Sequence, residues 1–198
     1  MRGIDVSKYQ TGINWQEVKD SGIDFVIIRA GYRGWGTGAL VEDPMLASHV
    51  AGARSVGLNI GLYFYSQAVN EQEAVDEASF VVGLIQKYGI PLSMPVYYDT
   101  EMSDGRGNGR ADVINTAQRT ANAVAFCETV RNAGCIPGVY SYPVWFTNNL
   151  DFSRLSHYNI WVAHYAAQLK FPWKHDMWQY TSKGSVPGVP GGVDMNLM

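Results

Sequence analysis

The sequence predicts an α/β fold, and three observations lead to this class. Short runs rich in apolar, β-branched and aromatic residues recur along all 198 residues, with helical stretches between the early runs. In roughly the last quarter of the chain, successive runs of this kind are separated only by short connections that contain prolines and leave no room for full helices. A complete (β/α)₈ barrel needs about 250 residues, so this chain fits an incomplete TIM-like barrel whose last strands lack full helices. An open doubly wound sheet is the competing architecture.

Strands are expected wherever apolar, β-branched and aromatic residues cluster between turn residues. The first such cluster begins at Gly3, and the last ends at Asn196. Eight segments meet this description, namely residues 3–6, 25–29, 59–65, 94–99, 136–141, 159–164, 177–180 and 193–196.

About five helices lie between these strands, and several have recognisable ends. A short amphipathic helix covers residues 15–20, and a second begins at Asp43-Pro44, where an N-cap precedes a proline at the first helical position, and stops before Gly57. The third opens on the capping residues 70–73 and stops before Gly89. The fourth helix runs from Asp112 to about residue 132, with Gly134 as its stop. The fifth covers a short stretch after Pro143.

Composition limits the domain organisation and the partners. No repeat, low-complexity segment or linker divides the chain, so one domain is expected over residues 1–198. A net charge of −3 argues against a nucleic-acid partner, and no run of about eighteen apolar residues spans a membrane. The N-terminus enters the first strand without a secretion signal, so we expect cytoplasmic synthesis with release or export by another route.

Metal and redox chemistry find little support in the sequence. Cys127 and Cys135 are too few for a disulfide framework or a zinc site, and we expect both to be free, buried thiols. The four histidines show no metal-ligand spacing. We therefore expect neither a metal nor a cofactor.

The fourth predicted strand ends in Asp99-Thr100-Glu101, which places two carboxylates on the same side of the strand. Two residues along a strand correspond to roughly 6.6 Å. Acid-catalysed cleavage of a glycosidic bond needs such a pair, since one group donates a proton and the other stays charged beside an oxocarbenium-like transition state. A pair of solvated acids at a strand end is the plainer alternative.

Further polar residues end the other strands. In a closed barrel the first and last strands are neighbours, so Asp5 and Asp194 should lie side by side at the mouth that also holds Asp99 and Glu101. Arg29 would contact substrate or, more in keeping with its position, act as counter-ion to these carboxylates. Five aromatic residues are candidates for stacking on sugar rings, although strand alternation lets only some of them face the mouth: Tyr63, Tyr65, Tyr140, Trp178 and Tyr180.

Ordered motifs along essentially the whole chain carry a resemblance to a known family. They are Gly3-Ile4-Asp5-Val6-Ser7-Lys8-Tyr9-Gln10, Phe25-Val26-Ile27-Ile28-Arg29-Ala30, Gly61-Leu62-Tyr63-Phe64-Tyr65, Asp99-Thr100-Glu101, Gly138-Val139-Tyr140-Ser141, Ile160-Trp161-Val162-Ala163, Trp178-Gln179-Tyr180 and Gly191-Gly192-Val193-Asp194-Met195-Asn196. In this order they resemble the family 25 glycoside hydrolases, the lysozyme-type muramidases of autolysins and phage endolysins. One departure is the glycine-rich, basic loop over residues 103–110.

The resemblance implies that residues 1–198 form a single catalytic domain, which we expect to lack a wall-binding domain. Such a domain would act on the bacterial cell wall and cleave the β-1,4 bond after N-acetylmuramic acid in peptidoglycan. On that basis Glu101 matches the proton donor, Asp99 its acidic partner, and Asp5 and Asp194 supporting carboxylates. For Asp99 we expect a role in substrate-assisted retention, in which it orients the 2-acetamido group. A chitinase-like hydrolase and a catalytically dead carbohydrate-binding barrel are the alternatives.

Overall fold

The computed structural model describes residues 1–103 and 107–198, so the middle of the glycine-rich loop predicted over residues 103–110 lies outside the described residues. The strands are β1 Arg2–Val6, β2 Phe25–Arg33, β3 Leu40–Glu42, β4 Asn59–Tyr65, β5 Leu92–Asp99, β6 Pro137–Ser141, β7 Asn159–Ala163, β8 Met177–Gly184 and β9 Val193–Leu197. The helices are α1 Trp15–Asp20, α2 Leu46–Ser55, α3 Glu71–Tyr88, α4 Thr116–Asn132 and α5 Pro143–Asn148.

Eight of these strands close into a barrel. The ring runs β1, β2, β4, β5, β6, β7, β8 and β9, and returns to β1. From β1 to β8 the neighbours are parallel, whereas β9 is antiparallel to both β8 and β1. The predicted incomplete barrel is confirmed, and the open doubly wound sheet is wrong because β1 pairs on both of its edges.

The strand β3 was not predicted, and it lies outside the ring. It pairs antiparallel with the last residues of β2, which continues to Arg33 across an irregularity between Arg29 and Gly31. A strand of three half-buried residues leaves too short a pattern to be distinguished from a loop. The β2–β3 hairpin extends the barrel wall beyond the mouth on this side.

Helix ends largely follow the capping signals in the sequence. The side chain of Asn70 accepts a hydrogen bond from the backbone of Glu73, and Gly89 ends α3 in a left-handed conformation with φ of 54°. Both cysteines are free, as expected, and Cys127 is buried; the expected burial of Cys135 is wrong, since it is only half-buried at the end of the turn after α4. Of the helices in the described part of the chain, none combines the length and apolarity needed to cross a bilayer.

The predicted start of α4 at Asp112 is wrong. The helix begins at Thr116, where the side chain of Asn115 caps it. Asp112 accepts hydrogen bonds from the backbone N–H groups of Ser103 and Gly109, at 3.0 and 2.7 Å. An acidic residue before a helical pattern can bind backbone N–H groups of a preceding loop as well as cap a helix, and here Asp112 does the former.

Alternation along the strands divides the core into two parts. Outward-facing strand residues pack against the helices in the larger part. The smaller part fills the barrel with Phe25, Ile27, Met94, Tyr97, Tyr140, Trp161, Ala163 and Met177. The rings of Tyr97 and Tyr140 lie 5.1 and 4.4 Å from that of Trp161, centroid to centroid, so a packed aromatic layer forms the floor beneath the mouth.

Candidate active site

The segment that ends β5 directs Asp99 and Glu101 into the mouth of the barrel. Thr100 between them faces outward, where its hydroxyl accepts from the indole N–H of Trp145 at 3.3 Å and its carbonyl accepts from the hydroxyl of Ser141 at 2.7 Å. Because successive side chains alternate, Asp99 and Glu101 face the opposite way, and both line the same cavities. The prediction that they share one side is confirmed.

Asp5 and Asp194 join them, as register partners on β1 and β9. The sequence prediction counted Asp194 among the C-terminal strand ends, but β9 is antiparallel and Asp194 lies near its start. The start of an antiparallel strand meets the C-terminal ends of parallel neighbours, so the two residues are neighbours as expected. With Asp99 and Glu101 they line one cavity of about 200 Å³. Within the described residues, no group of three or more acidic, histidine or cysteine side chains has the arrangement of a metal site.

Two side-chain amides hold Asp5 in place. Gln179 and Asn196 both donate to its Oδ2, at 2.9 and 2.8 Å. The oxygen of Gln179 accepts from the hydroxyls of Tyr140 and Tyr165, each at 2.9 Å, which fixes the orientation of the amide. The sequence prediction gave neither Gln179 nor Asn196 a role in the site. In the structure both side chains face the barrel interior and alternate with outward-facing apolar neighbours.

Burial raises the pKa of all four carboxyls, and mutual repulsion adds to this at three of them. Loss of solvation, followed by the charge of Asp194, raises the pKa of Glu101 to about 7. Burial raises the pKa of Asp194 to about 6. The pKa values of Asp5 and Asp99 are raised well above their usual range, first by burial and then by Asp194 and Glu101 respectively. A pKa of about 7 allows Glu101 to hold and release a proton close to neutral pH.

Arg29 lies at the mouth, but its expected pairing with Asp5 or Asp194 is wrong. Its Nε donates to Oδ2 of the buried Asp43 at 2.6 Å. Asp43 was expected to cap α2, but the helix begins only at Leu46. Asp43 lies between β3 and α2, and its side chain forms an ion pair with Arg29. The positive charge of Arg29 offsets part of the rise in the pKa of Asp99, and the two side chains line a common cavity. Contact with substrate remains its predicted role.

Three of the five aromatic residues predicted to bind sugar line cavities at the mouth: Tyr63, Tyr65 and Tyr140. The prediction is wrong for Trp178 and Tyr180. Gln179 between them points inward to Asp5, so strand alternation turns both rings outward. There Trp178 donates to a backbone carbonyl at 2.8 Å, and Tyr180 packs against the outer core.

Two further cavities flank the central one, and Glu101 lines all three. The second has a volume of about 420 Å³, and its other lining residues are Lys8, Tyr9, Arg29, Tyr32, Trp35, Tyr63, Tyr65 and Asp99. The third, of about 360 Å³, is lined mainly by Tyr140, Tyr142, Pro143, Val144, Ala163, His164 and Tyr165. Residues such as Trp35, Tyr142 and Tyr165 lie in loops without a periodic pattern, which explains why the sequence prediction did not assign them to the site. Cavities on both sides of one acid suit a polymer that passes through the site.

The family comparison agrees with this geometry. A family model described as glycosyl hydrolases family 25 matches residues 4–189. Among curated proteins, the autolytic lysozyme of Clostridium acetobutylicum is 27% identical over 197 residues, covering 99% of this chain and 55% of that protein. Lysozyme M1 of Streptomyces globisporus is 26% identical, covering 99% of this chain and 67% of that protein. The chain thus spans little more than half of the first of these relatives.

Solved structures show the same likeness. The modular autolysin LytC of Streptococcus pneumoniae, solved in complex with a synthetic peptidoglycan ligand, has a TM-score of 0.85 and 32% identity, covering 98% of this chain and 46% of that chain. The catalytic domain of endolysin ply40, from bacteriophage P40 of Listeria monocytogenes, has a TM-score of 0.78 and 26% identity, covering 99% of this chain and 91% of that chain. Both the sequence and the barrel are therefore similar to those of wall-lytic enzymes.

Proposed function

The chain belongs to the family 25 glycosyl hydrolases, and on that premise we propose that it hydrolyses the β-1,4 bond between N-acetylmuramic acid and N-acetylglucosamine in bacterial peptidoglycan. The observation that carries this proposal is the cavity lined by four carboxyl groups, in which burial raises the pKa of Glu101 to about 7 and Asp99 lines the same wall. Glycosidic cleavage needs an acid and a second carboxylate in one site. The protein would act on the cell wall as a catalytic domain of the autolysin or endolysin type.

Glu101 is the general acid in this proposal. It lines the central cavity and both flanking cavities, so a bond lying across the centre of the site is within its reach. Its pKa of about 7 lets it hold a proton at neutral pH and release it to the leaving oxygen of N-acetylglucosamine. Departure of that sugar breaks the bond from C1 of the muramic acid to the oxygen.

Asp99 is the partner that orients the reacting sugar. Its Oδ1 is buried and has no hydrogen-bond partner among the described residues, so a substrate N–H can be bound there. The 2-acetamido group of N-acetylmuramic acid offers that N–H, and its carbonyl oxygen can then attack C1 as the leaving group departs. Water subsequently attacks C1, Glu101 accepts its proton, and the β configuration is retained.

Asp5 on β1 and Asp194 on β9 support this chemistry from the two neighbouring strands that close the barrel. The two amides on Oδ2 of Asp5 fix its orientation, and Asp194 raises the pKa of Glu101 by its charge. Their place in the same cavity favours contacts with sugar hydroxyls or the attacking water. Both are therefore proposed as supporting carboxylates rather than as proton donors.

Mass spectrometry of the fragments released from purified peptidoglycan tests the proposed bond. We expect fragments with N-acetylmuramic acid at the reducing end and none from the Glu101→Gln variant. Fragments with N-acetylglucosamine at the reducing end would assign the other glycosidic bond, and release from chitin alone would favour the chitinase-like alternative. No release from either polymer by a folded protein would favour a binding barrel.

The configuration of the fresh product tests the role of Asp99. Proton NMR during the first minutes of cleavage should show the β-anomer at C1, because the acetamido oxygen and then water attack in two successive inversions. Early accumulation of the α-anomer would establish single-step inversion and make Asp99 the base that activates water.

A further inference from the structure

The second cavity, beside Asp99 and Glu101, has two basic groups at one end. Lys8 and Arg29 both line it, and both lie against the rings of Tyr9 and Tyr32. The Lys8 ammonium is 5.3 and 5.5 Å from the two ring centroids, and the Arg29 guanidinium is 5.4 and 5.5 Å from them. Aromatic faces stabilise cations without neutralising them.

Neither basic group is fully satisfied within the described residues. Asp43 accepts a hydrogen bond from Nε of Arg29, but Nη2 of Arg29 is buried and has no hydrogen-bond partner among the described residues. No carboxylate of the described chain lies within 4.0 Å of the Lys8 ammonium. The backbone N–H of Lys8 donates to Asp43 at 3.1 Å, so one buried carboxylate holds both residues in place. An arginine that lines a cavity and keeps an unpaired guanidinium N–H, beside a lysine without an ion-pair partner among the described residues, indicates a ligand with a negatively charged acceptor.

We propose that Lys8 and Arg29 bind a carboxylate carried by the C3 substituent of the muramic acid residue. This inference rests on the proposed function, which places the 2-acetamido group of that sugar at Asp99. C2 and C3 are adjacent on the ring, so a substituent on C3 leads away from Asp99 into a neighbouring cavity. The cavity that shares Asp99 with the centre of the site is the one lined by Lys8 and Arg29.

Two sources supply this carboxylate. In glycan strands without peptides the lactyl ether on C3 ends in a free carboxylate, whereas in intact wall that group forms an amide and the stem peptide carries carboxylates further out. Both present two oxygens to cationic donors. The half-exposed ring of Trp35 and the exposed ring of Tyr9 leave the cavity open to solvent, so it admits a substituent that extends beyond the sugar.

The test compares cleavage of four substrates by the wild type and three variants. The substrates are peptidoglycan with intact stems, the same strands after removal of the stems by an amidase, and each of these with its carboxylates converted to amides. Lys8→Gln removes the charge at similar length, and Lys8→Arg keeps it. Lys174→Gln is the matched control, because Lys174 is exposed and lies before β8, at the end of the barrel away from the mouth. Melting temperatures establish that each variant is folded.

We expect the wild type to lose about tenfold in kcat/KM when the recognised carboxylate is amidated, roughly the contribution of one charge-assisted hydrogen bond. Lys8→Gln should lose most of this preference, whereas Lys8→Arg and Lys174→Gln keep it. A preference confined to stripped strands identifies the lactyl carboxylate, and one confined to intact strands identifies the stem peptide. Equal discrimination by wild type and Lys8→Gln, or none by the wild type, overturns the inference while the proposed bond specificity stands. If the wild type cleaves none of the four, the proposed function itself fails.

Discussion

At the scale of the residue, two acids only two positions apart have different surroundings. Asp99 is almost fully buried, with 3% of its surface exposed, whereas Glu101 is half-buried and opens onto all three cavities. An acid that must deliver a proton needs access to the bond, and one that must hold a substrate group needs a fixed position. The division of roles between Glu101 and Asp99 follows from this difference.

Glu101→Gln should fold normally and lose at least about a hundredfold in kcat, since an amide keeps the shape of the side chain but cannot donate a proton to the leaving oxygen. Turnover on purified walls, with thermal melting as the folding check, measures this. Glu128→Gln, at a half-buried acid of α4 that pairs with Arg131 and lines none of the three cavities, is the control and should stay near wild type in turnover. Near-native turnover by Glu101→Gln would remove Glu101 from the role of acid.

The pH dependence of kcat/KM should have an alkaline limb near pH 7. Glu101 donates only while it is protonated, and its pKa is raised to about 7, so activity falls as the pH rises through that value. Because the carboxyls interact, the limb reports the cluster rather than Glu101 alone. A profile measured on soluble glycan fragments checks this, and activity that stays level to pH 9 would contradict it.

At the scale of the element, three inward-facing glycines let the aromatic floor pack inside a small barrel. A Cβ on Gly138 of β6 would lie 2.4 Å from the ring of Tyr97 and 2.9 Å from the carbonyl oxygen of Asn159. Comparable contacts occur at Gly3 and Gly61. The floor therefore depends on the absence of side chains at these strand positions.

Gly138→Ala should lower the free energy of unfolding by about 1–3 kcal/mol, the usual cost of overpacking a core. Gly83→Ala is the matched control, because Gly83 is exposed on α3 and nothing lies within 4 Å of an added Cβ. That substitution should stabilise the protein by about 0.5–1 kcal/mol through helix propensity. Urea unfolding of both variants measures the difference, and equal stability for the two would show that the interior has room at Gly138.

The elements also show which parts of the fold could be predicted from sequence. Strand composition and capping residues are local, so the eight barrel strands and the ends of α3 were found. The direction of β9 depends on how the chain returns to β1, which no local pattern records. The outward orientation of Trp178 and Tyr180 follows once Gln179 is known to reach Asp5, but the alternation alone did not say which set faces inward.

In the site, too, the features set by local patterns could be predicted, and those set by tertiary packing could not. Asp5, Asp99, Glu101 and Asp194 were predicted because carboxylates at strand ends in a closing barrel must meet. The partner of Arg29 could not be predicted, since Asp43 lies beyond the unpredicted β3 and its position depends on tertiary packing.

At the scale of the whole molecule, closing the barrel gathers four carboxyls at one mouth, and none of them forms an ion pair with a cation of the described residues. The raised pKa values mean that the folded protein binds more protons there than the unfolded chain does. Stability therefore falls as the pH rises from the usual carboxyl pKa values of 3.8 and 4.5 through the raised values of the folded state, about 6 for Asp194 and about 7 for Glu101. The arrangement that makes Glu101 an acid at neutral pH thus lowers the stability of the fold.

Asp194→Asn should raise the melting temperature at pH 8 and leave it nearly unchanged at pH 4. The pKa of Asp194 is about 6 in the folded protein against a usual value of 3.8, so its stabilising contribution is present at low pH and is lost as the pH rises through about 6. The amide cannot ionise, and it also removes the charge that repels Glu101. A gain of ~2–4 °C is expected, as for about 1 kcal/mol in a domain of this size. Calorimetry at both pH values, with the exposed Asp20→Asn as control, measures it. A lower melting temperature at pH 8 for Asp194→Asn would mean that this carboxylate stabilises the mouth through its contacts more than it destabilises it through its charge.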